Sequence, residues 1–220
     1  IMSKNSFKYE HKVLMGPGPT NVDNKVKKAL SSEPISHLDS EFFEILNNIS
    51  SSLRKVFKTK NKVTFAVSGT GSSGMEMAMT NLIESGDEVL ILKKGVFGER
   101  MENLALRLSG KVATMSVPWG HSFDQNIVIE KIKSMPNLKL VCVVQAETST
   151  GILQEIDLIG DYIKSKDIIF LVDASLFIII SSFKLFIYEF TRTLHRYFRI
   201  MYFSFVFYFY VFYIIYYYIL

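Results

Sequence analysis

Five short apolar runs set the strongest limit on how this chain can fold. They are "VTFAV" (63–67), "EVLIL" (88–92), "KVATMSV" (111–117), "LKLVCVV" (138–144) and "IIFLVD" (168–173). The intervals between them carry helical periodicity, at roughly 74–84, 98–109, 124–134 and 155–165. Strand–helix–strand units of this length pair their strands in parallel through right-handed crossovers. Several runs place apolar residues on both faces, as expected of strands covered by helices on both sides. The predicted architecture is an open, mostly parallel α/β sheet, in which ligands sit beyond the carboxyl ends of the strands. Ahead of the first run, Leu38, Phe42, Ile45, Ile49, Leu53 and Val56 recur at steps of three and four, which predicts an amphipathic helix over 38–57.

The first run ends in seven small residues, Ser68 to Gly74, before a helical pattern begins. Small residues let backbone approach a ligand, and the free N–H groups of the next helix favour an anion there. A phosphate is the natural occupant, while a plain strand-to-helix turn is the duller alternative. Gly69, Gly71 and Gly74 also spell the dinucleotide-binding pattern G-x-G-x-x-G. The acid that pattern requires on the next strand is missing, and Lys93 and Lys94 stand there instead. An NADP-dependent oxidoreductase, with those lysines on a 2′-phosphate, is therefore a second reading.

Other strand ends add chemistry. Asp173 closes an apolar run, Thr148 follows another within "AETSTG", and Phe97 lies between two glycines in "GVFGER". A phosphate seat, an aromatic face, a hydroxyl and a lone carboxylate suit a flat, phosphorylated heteroaromatic ring, with the acid on a protonated ring nitrogen. Each residue also has an ordinary alternative: Asp173 as a helix cap, Phe97 as core packing, Thr148 as a turn residue. Trp119 and His121 read as surface residues and Cys142 as a small core residue. His11 and His37 lack metal-ligand spacing.

The stretches "LMGPGPTNV", "VSGTGSSGMEMAM", "GVFGER", "AETSTGILQ" and "FLVDAS" occur in one order across residues 13–175. Together they resemble the class V pyridoxal-phosphate-dependent aminotransferases, in the alanine–glyoxylate and serine–pyruvate branch. The resemblance implies the large domain of PLP fold type I. It implies transfer of an amino group from alanine or serine to glyoxylate or pyruvate, with pyridoxal 5′-phosphate as cofactor. It places Thr70, Gly71 and Ser72 on the phosphate, Phe97 on the ring face where the family usually has Trp, Thr148 near the phenolic oxygen and Asp173 on the pyridine nitrogen. Gly16 would lie by the substrate. Residues 1–37 would reach a partner subunit in a homodimer, with 38–175 forming part of the cofactor-binding domain. A peroxisomal or cytoplasmic location goes with the family.

Composition breaks after Ser175. Of the 30 aromatic residues, 19 fall in 176–220, a tail with no Gly, Pro, Asn or Asp. No catalytic residue can be assigned: the family's Schiff-base lysine, expected some 25 residues after the aspartate, has no counterpart, and Lys184 comes too early. The expectation is a truncated, inactive form with an unrelated tail and an unpaired flank to its sheet. Residues 200–220 carry no charge and are long enough for a membrane-spanning helix. A membrane-anchored, non-catalytic PLP-binding or dimerisation protein is thus a further alternative. Tyrosines spread along the whole tail, with T- and A-rich codons behind Phe, Tyr and Ile, point instead to sequence not selected as protein. The tail holds Lys184, Arg192, Arg196 and Arg199 against Glu189, so the body is almost neutral despite the net +4. With no basic stripe, a nucleic-acid partner is not expected. A single cysteine rules out an internal disulfide and fits a reducing compartment. No signal or transit peptide is legible, and Ile1 before Met2 suggests that the natural start lies upstream.

Overall fold

A computed structural model describes residues 10, 12–15, 21–57, 59–175, 199–205 and 212–215. The chain runs α1 (Asn24–Leu30), α2 (Ser40–Val56), β1 (Thr64–Val67), α3 (Gly71–Leu82), β2 (Glu88–Lys93), α4 (Val96–Arg107), β3 (Lys111–Ser116), α5 (Gln125–Lys133), β4 (Leu138–Val144), β5 (Ala146–Glu147), β6 (Ile152–Leu153), α6 (Asp157–Ile163), β7 (Ile169–Asp173), β8 (Arg199–Phe205) and β9 (Phe212–Ile215). One sheet has the order β1-β9-β8-β7-β4-β2-β3, and β5 with β6 forms a small antiparallel hairpin. Only β9 runs against the others, so β1, β2, β4 and β7 point the same way and end at one edge.

The five apolar runs are the strands expected, each within a residue or two. Their period-two alternation feeds two cores. Val89, Ile91, Leu140, Cys142, Val144, Ile169 and Leu171 pack with Met75, Ala78, Met79 and Leu82 of α3 and Met101 and Ala105 of α4. Leu90, Leu92, Val141, Val143, Phe170 and Val172 face the other way, toward Val128 and Ile132 of α5 and Ile159 and Ile163 of α6. Helices on both faces explain why β4 and β7 have almost no polar positions. Cys142 is buried, and Trp119 and His121 are exposed.

Several expectations need correction. The helix after β1 starts at Gly71, not 74, because Thr70 caps it: Ser73 N–H donates to Thr70 Oγ1 (3.2 Å). The α2 stripe is a helix, but of its six apolar positions only Leu53 is buried; Leu38, Ile45 and Val56 are exposed. Helix α1 was not foreseen. It is short and capped by Asp23, which accepts from Lys25 N–H (2.7 Å). The sheet flank beyond β7, expected to lack partners, is filled by β8 and β9 from the tail, up to β1. Aromatic and β-branched residues lose side-chain freedom in helices and suit a pleated surface, which favours strand over helix there. No helix among the described residues is long and apolar enough to cross a membrane.

Leu171 is fully shielded in the central strand β7. Leu171→Ala should cost about 3 kcal/mol of stability, read as a lower urea midpoint at unchanged slope.

Candidate functional site

The site lies at the sheet edge where β1, β2, β4 and β7 end. Alternation along β7 decides which face Asp173 takes. Ile169 and Leu171 pack toward α3 and α4, Phe170 and Val172 toward α5 and α6, so Asp173 falls on the α3/α4 side. Strands β1 and β7 are three spacings apart, roughly 14 Å. Helix α3 spans that gap by lying over β8 and β9 and against α4. Its N-terminus and the Asp173 carboxyl group therefore share one face of one edge.

At the start of α3, Ser73 N–H is used by Thr70 Oγ1, and Gly74 N–H by Thr70 O (3.0 Å). Gly71 and Ser72 N–H have no partner among the described residues. Thr70 Oγ1 and Ser73 Oγ share a hydrogen bond (2.9 Å) in which either hydroxyl can donate, so Thr70 caps the helix through its oxygen and keeps its own proton when Ser73 is the donor. Ser72 Oγ accepts from Arg100 Nη1. The exposed Arg100 guanidinium also lies 5.8 Å from the Phe97 ring centroid and pairs with no carboxylate among the described residues. A cation beside the positive end of a helix dipole is unfavourable unless an anion sits with them.

Phe97 is half-buried on the first turn of α4, against the α3/α4 core. Its neighbours are tied to the β5–β6 region: Val96 N–H donates to Ser149 Oγ (3.0 Å) and Gly98 N–H to Glu147 Oε2 (3.3 Å). Thr148 sits half-buried in the turn between them, and its hydroxyl has no partner among the described residues. Gly95, before α4, admits no side chain, since a Cβ would collide with Glu147 and Ser149.

Asp173 is buried, 4% exposed. Ser175 N–H (3.0 Å) and Ser175 Oγ–H both donate to Oδ1, and Oδ2 has no partner among the described residues. Burial pushes the carboxyl up to about 6, with Glu147 adding to the rise and the Ser175 bonds opposing it. A buried acceptor left unused fits a ligand donor such as a protonated ring nitrogen. Among the described residues, two amides without partners and a guanidinium without a carboxylate stand at one end, and a buried carboxylate oxygen without a donor at the other; together they suit a ring that is anionic on one side and protonated on the other.

The structure thus brings Gly71, Ser72, Phe97, Thr148 and Asp173 to one edge, with Thr70 in a capping role. Gly16 lies outside the described residues. Arg100 and Glu147 were not singled out from sequence. Arg100, three residues after Phe97, shares its helix face, a signal legible in sequence, whereas Glu147 acquires its partners Gly98 and Ser149 only in the fold. The lysines needed for a 2′-phosphate are committed elsewhere. Lys93 pairs with Glu102 (2.7 Å), and the buried Lys94 donates to the carbonyls of Gln145 (3.4 Å) and Ile152 (3.0 Å). That arrangement counts against the NADP reading. No group of three or more His, Cys, Asp or Glu side chains among the described residues could hold a metal.

Residues 19–181 match the family described as Aminotransferase class-V. The chain is 34% identical over 163 residues to (S)-ureidoglycine–glyoxylate transaminase of Bacillus subtilis, covering 74% of this chain and 39% of that protein. It is 33% identical over 163 residues to alanine–glyoxylate aminotransferase of Drosophila melanogaster, covering 74% and 41%. Among solved structures, alanine–glyoxylate aminotransferase from Nostoc sp. superposes with a TM-score of 0.73 at 35% identity, over 79% of this chain and 46% of that one. The chain therefore spans less than half the length of these relatives. The matched segment contains every described residue of the candidate site, and on that match the chain belongs to the class V aminotransferases, a family of pyridoxal-phosphate-dependent enzymes.

Proposed function

We propose that the chain is the cofactor-holding part of a transaminase that moves an amino group from alanine or serine to glyoxylate or pyruvate. Two relatives carry glyoxylate in their names, which supports glyoxylate as the acceptor. The observation that carries the proposal is the placement of unused α3 amides and an unused Asp173 oxygen on one face of one sheet edge. Bound pyridoxal 5′-phosphate supplies an electron sink for the charge left when an amino acid loses its α-proton.

The chain's own residues divide the work. Gly71 and Ser72 N–H, with Arg100 beside them, hold the phosphate through charge-assisted hydrogen bonds. Phe97 covers one face of the ring and excludes water from it. The Thr148 hydroxyl donates toward the phenolic oxygen. Asp173 Oδ2 accepts from the ring N–H and keeps that proton in place, since a cation alongside favours the ionised carboxylate. Gly16 and the 1–37 segment belong to the substrate side and to a homodimer. The exposed apolar residues Val13, Met15, Leu38 and Phe43 support a covering partner. A peroxisomal or cytoplasmic location rests on the family likeness alone. A polypeptide of these 220 residues binds the cofactor without turnover, because Lys184 is the only lysine after Asp173.

Equilibrium binding to the purified chain tests this. Pyridoxal 5′-phosphate should bind about a hundredfold more tightly than pyridoxal, as two or more charge-assisted bonds imply. Equal affinities would remove the phosphate seat, and amino transfer from alanine to glyoxylate by the 220 residues would contradict the lysine argument.

Asp173→Asn separates stability from binding. A carboxyl raised from its ordinary 3.8 to about 6 on folding binds protons more tightly in the folded chain. The cofactor-free protein should therefore gain stability as pH falls through 6 toward 4, and the burial penalty is complete about a unit above 6. The variant should stabilise the cofactor-free chain at pH 7.5 by at most about 3 kcal/mol and flatten that pH dependence. It should also weaken cofactor binding at least about tenfold. Thermal unfolding across pH, with and without cofactor, reads both effects.

A further inference from the structure

Glu147 is 1% exposed. A buried carboxylate needs donors around it, and Glu147 draws them from two separate elements. Gly98 N–H of α4 donates to Oε2 (3.3 Å), while Ser149 N–H (3.4 Å) and Ser149 Oγ–H (2.6 Å) donate to Oε1. Ser149 Oγ in turn accepts from Val96 N–H (3.0 Å). The first-turn amides on either side of Phe97 are thus tied to the residues on either side of Thr148. Helix α4 has no cap of its own, because Gly95 has no side chain and no room for one. The distant acid takes that place at the positive end of the helix dipole.

The strand from which Glu147 departs is itself pinned to Asp173. Val144 and Asp173 are partners in register, and Gln145 N–H donates to Asp173 O (2.8 Å). Lys94 braces the other side of the hairpin, spending its ammonium on the carbonyls of Gln145 and Ile152.

We propose that Glu147 is a positioning residue for the cofactor ring, holding Phe97 and Thr148 as one unit at a fixed place relative to Asp173. This rests on the proposed cofactor site. The ring's stacking face, its hydroxyl donor and its nitrogen acceptor are then set before it arrives. Three donors require a group that only accepts, and a carboxylate is one. A glutamine offers one accepting oxygen and a donating NH2. Whichever way it turns, either the Gly98 arm or the Ser149 arm is lost.

The test is a double-mutant cycle on the full chain with pyridoxamine 5′-phosphate, which binds without covalent attachment. Glu147→Gln and Phe97→Ala should each weaken binding about tenfold, with Glu147→Gln still unfolding in one cooperative transition at a lowered midpoint, since one buried donor loses its acceptor. The double variant should be little weaker than the weaker single one, since both changes remove the same contact. Ser149→Ala cuts one arm without burying a misplaced amide, and it should show the same non-additivity with Phe97→Ala even if Glu147→Gln fails to fold. Losses that multiply to about a hundredfold, or wild-type affinity in Glu147→Gln or Ser149→Ala, would overturn the positioning role and leave the cofactor site standing. No binding by the wild-type chain would remove the cofactor site and this inference together.

Discussion

The Asp173 carboxylate is held away from water with Ser175 as its single donor among the described residues, and burial makes its ionised form costly. A folded chain tolerates such a group when the cost is recovered elsewhere. A donor reaching Oδ2, such as the ring nitrogen of the proposed cofactor, would relieve the desolvation that raises the carboxyl's proton affinity. Much of the surrounding structure can be understood as placing that oxygen. The apolar run of β7 carries it to the sheet edge, alternation turns it toward α3 and α4, and the in-register pairing with Val144 fixes its height.

The two helix N-termini near it are treated differently. On α4, Val96 and Gly98 amides are closed off by Ser149 and Glu147 from more than 45 residues away in sequence. On α3, Thr70 closes one amide, and those of Gly71 and Ser72 remain without partners among the described residues. One terminus is therefore consumed in building the site, and the other keeps its positive end available, with Arg100 adding a full charge. The contrast follows from local sequence. Thr70 is a capping residue that leaves the first two amides open, whereas Gly95 caps nothing and must borrow an acid.

The strands and most of the helices were legible because their apolar periodicity is strong and their ends carry turn residues. Asp173 was legible because an acid ending an apolar run needs a reason to be there. The capping role of Thr70 was not legible, because a threonine before a small-residue helix start suits a cap and a phosphate ligand equally. Glu147 went unnoticed because its partners, Gly98 and Ser149, come together only once β4 and β2 pair. The burial of only one α2 position was likewise invisible, since periodicity reports an apolar face without saying what covers it. The strands β8 and β9 were hidden by a composition that supports a buried strand and a membrane helix about equally.

The central claim is that the α3 amides and the Asp173 carboxylate hold opposite ends of one ring. Backbone amide NMR shifts during a titration with pyridoxamine 5′-phosphate test it most directly. The amides of Gly71 and Ser72 and those of residues 173–175 should shift together and saturate at the same ligand concentration. Shifts confined to one of the two groups, or two distinct midpoints, would show that they serve different ligands and would contradict the account.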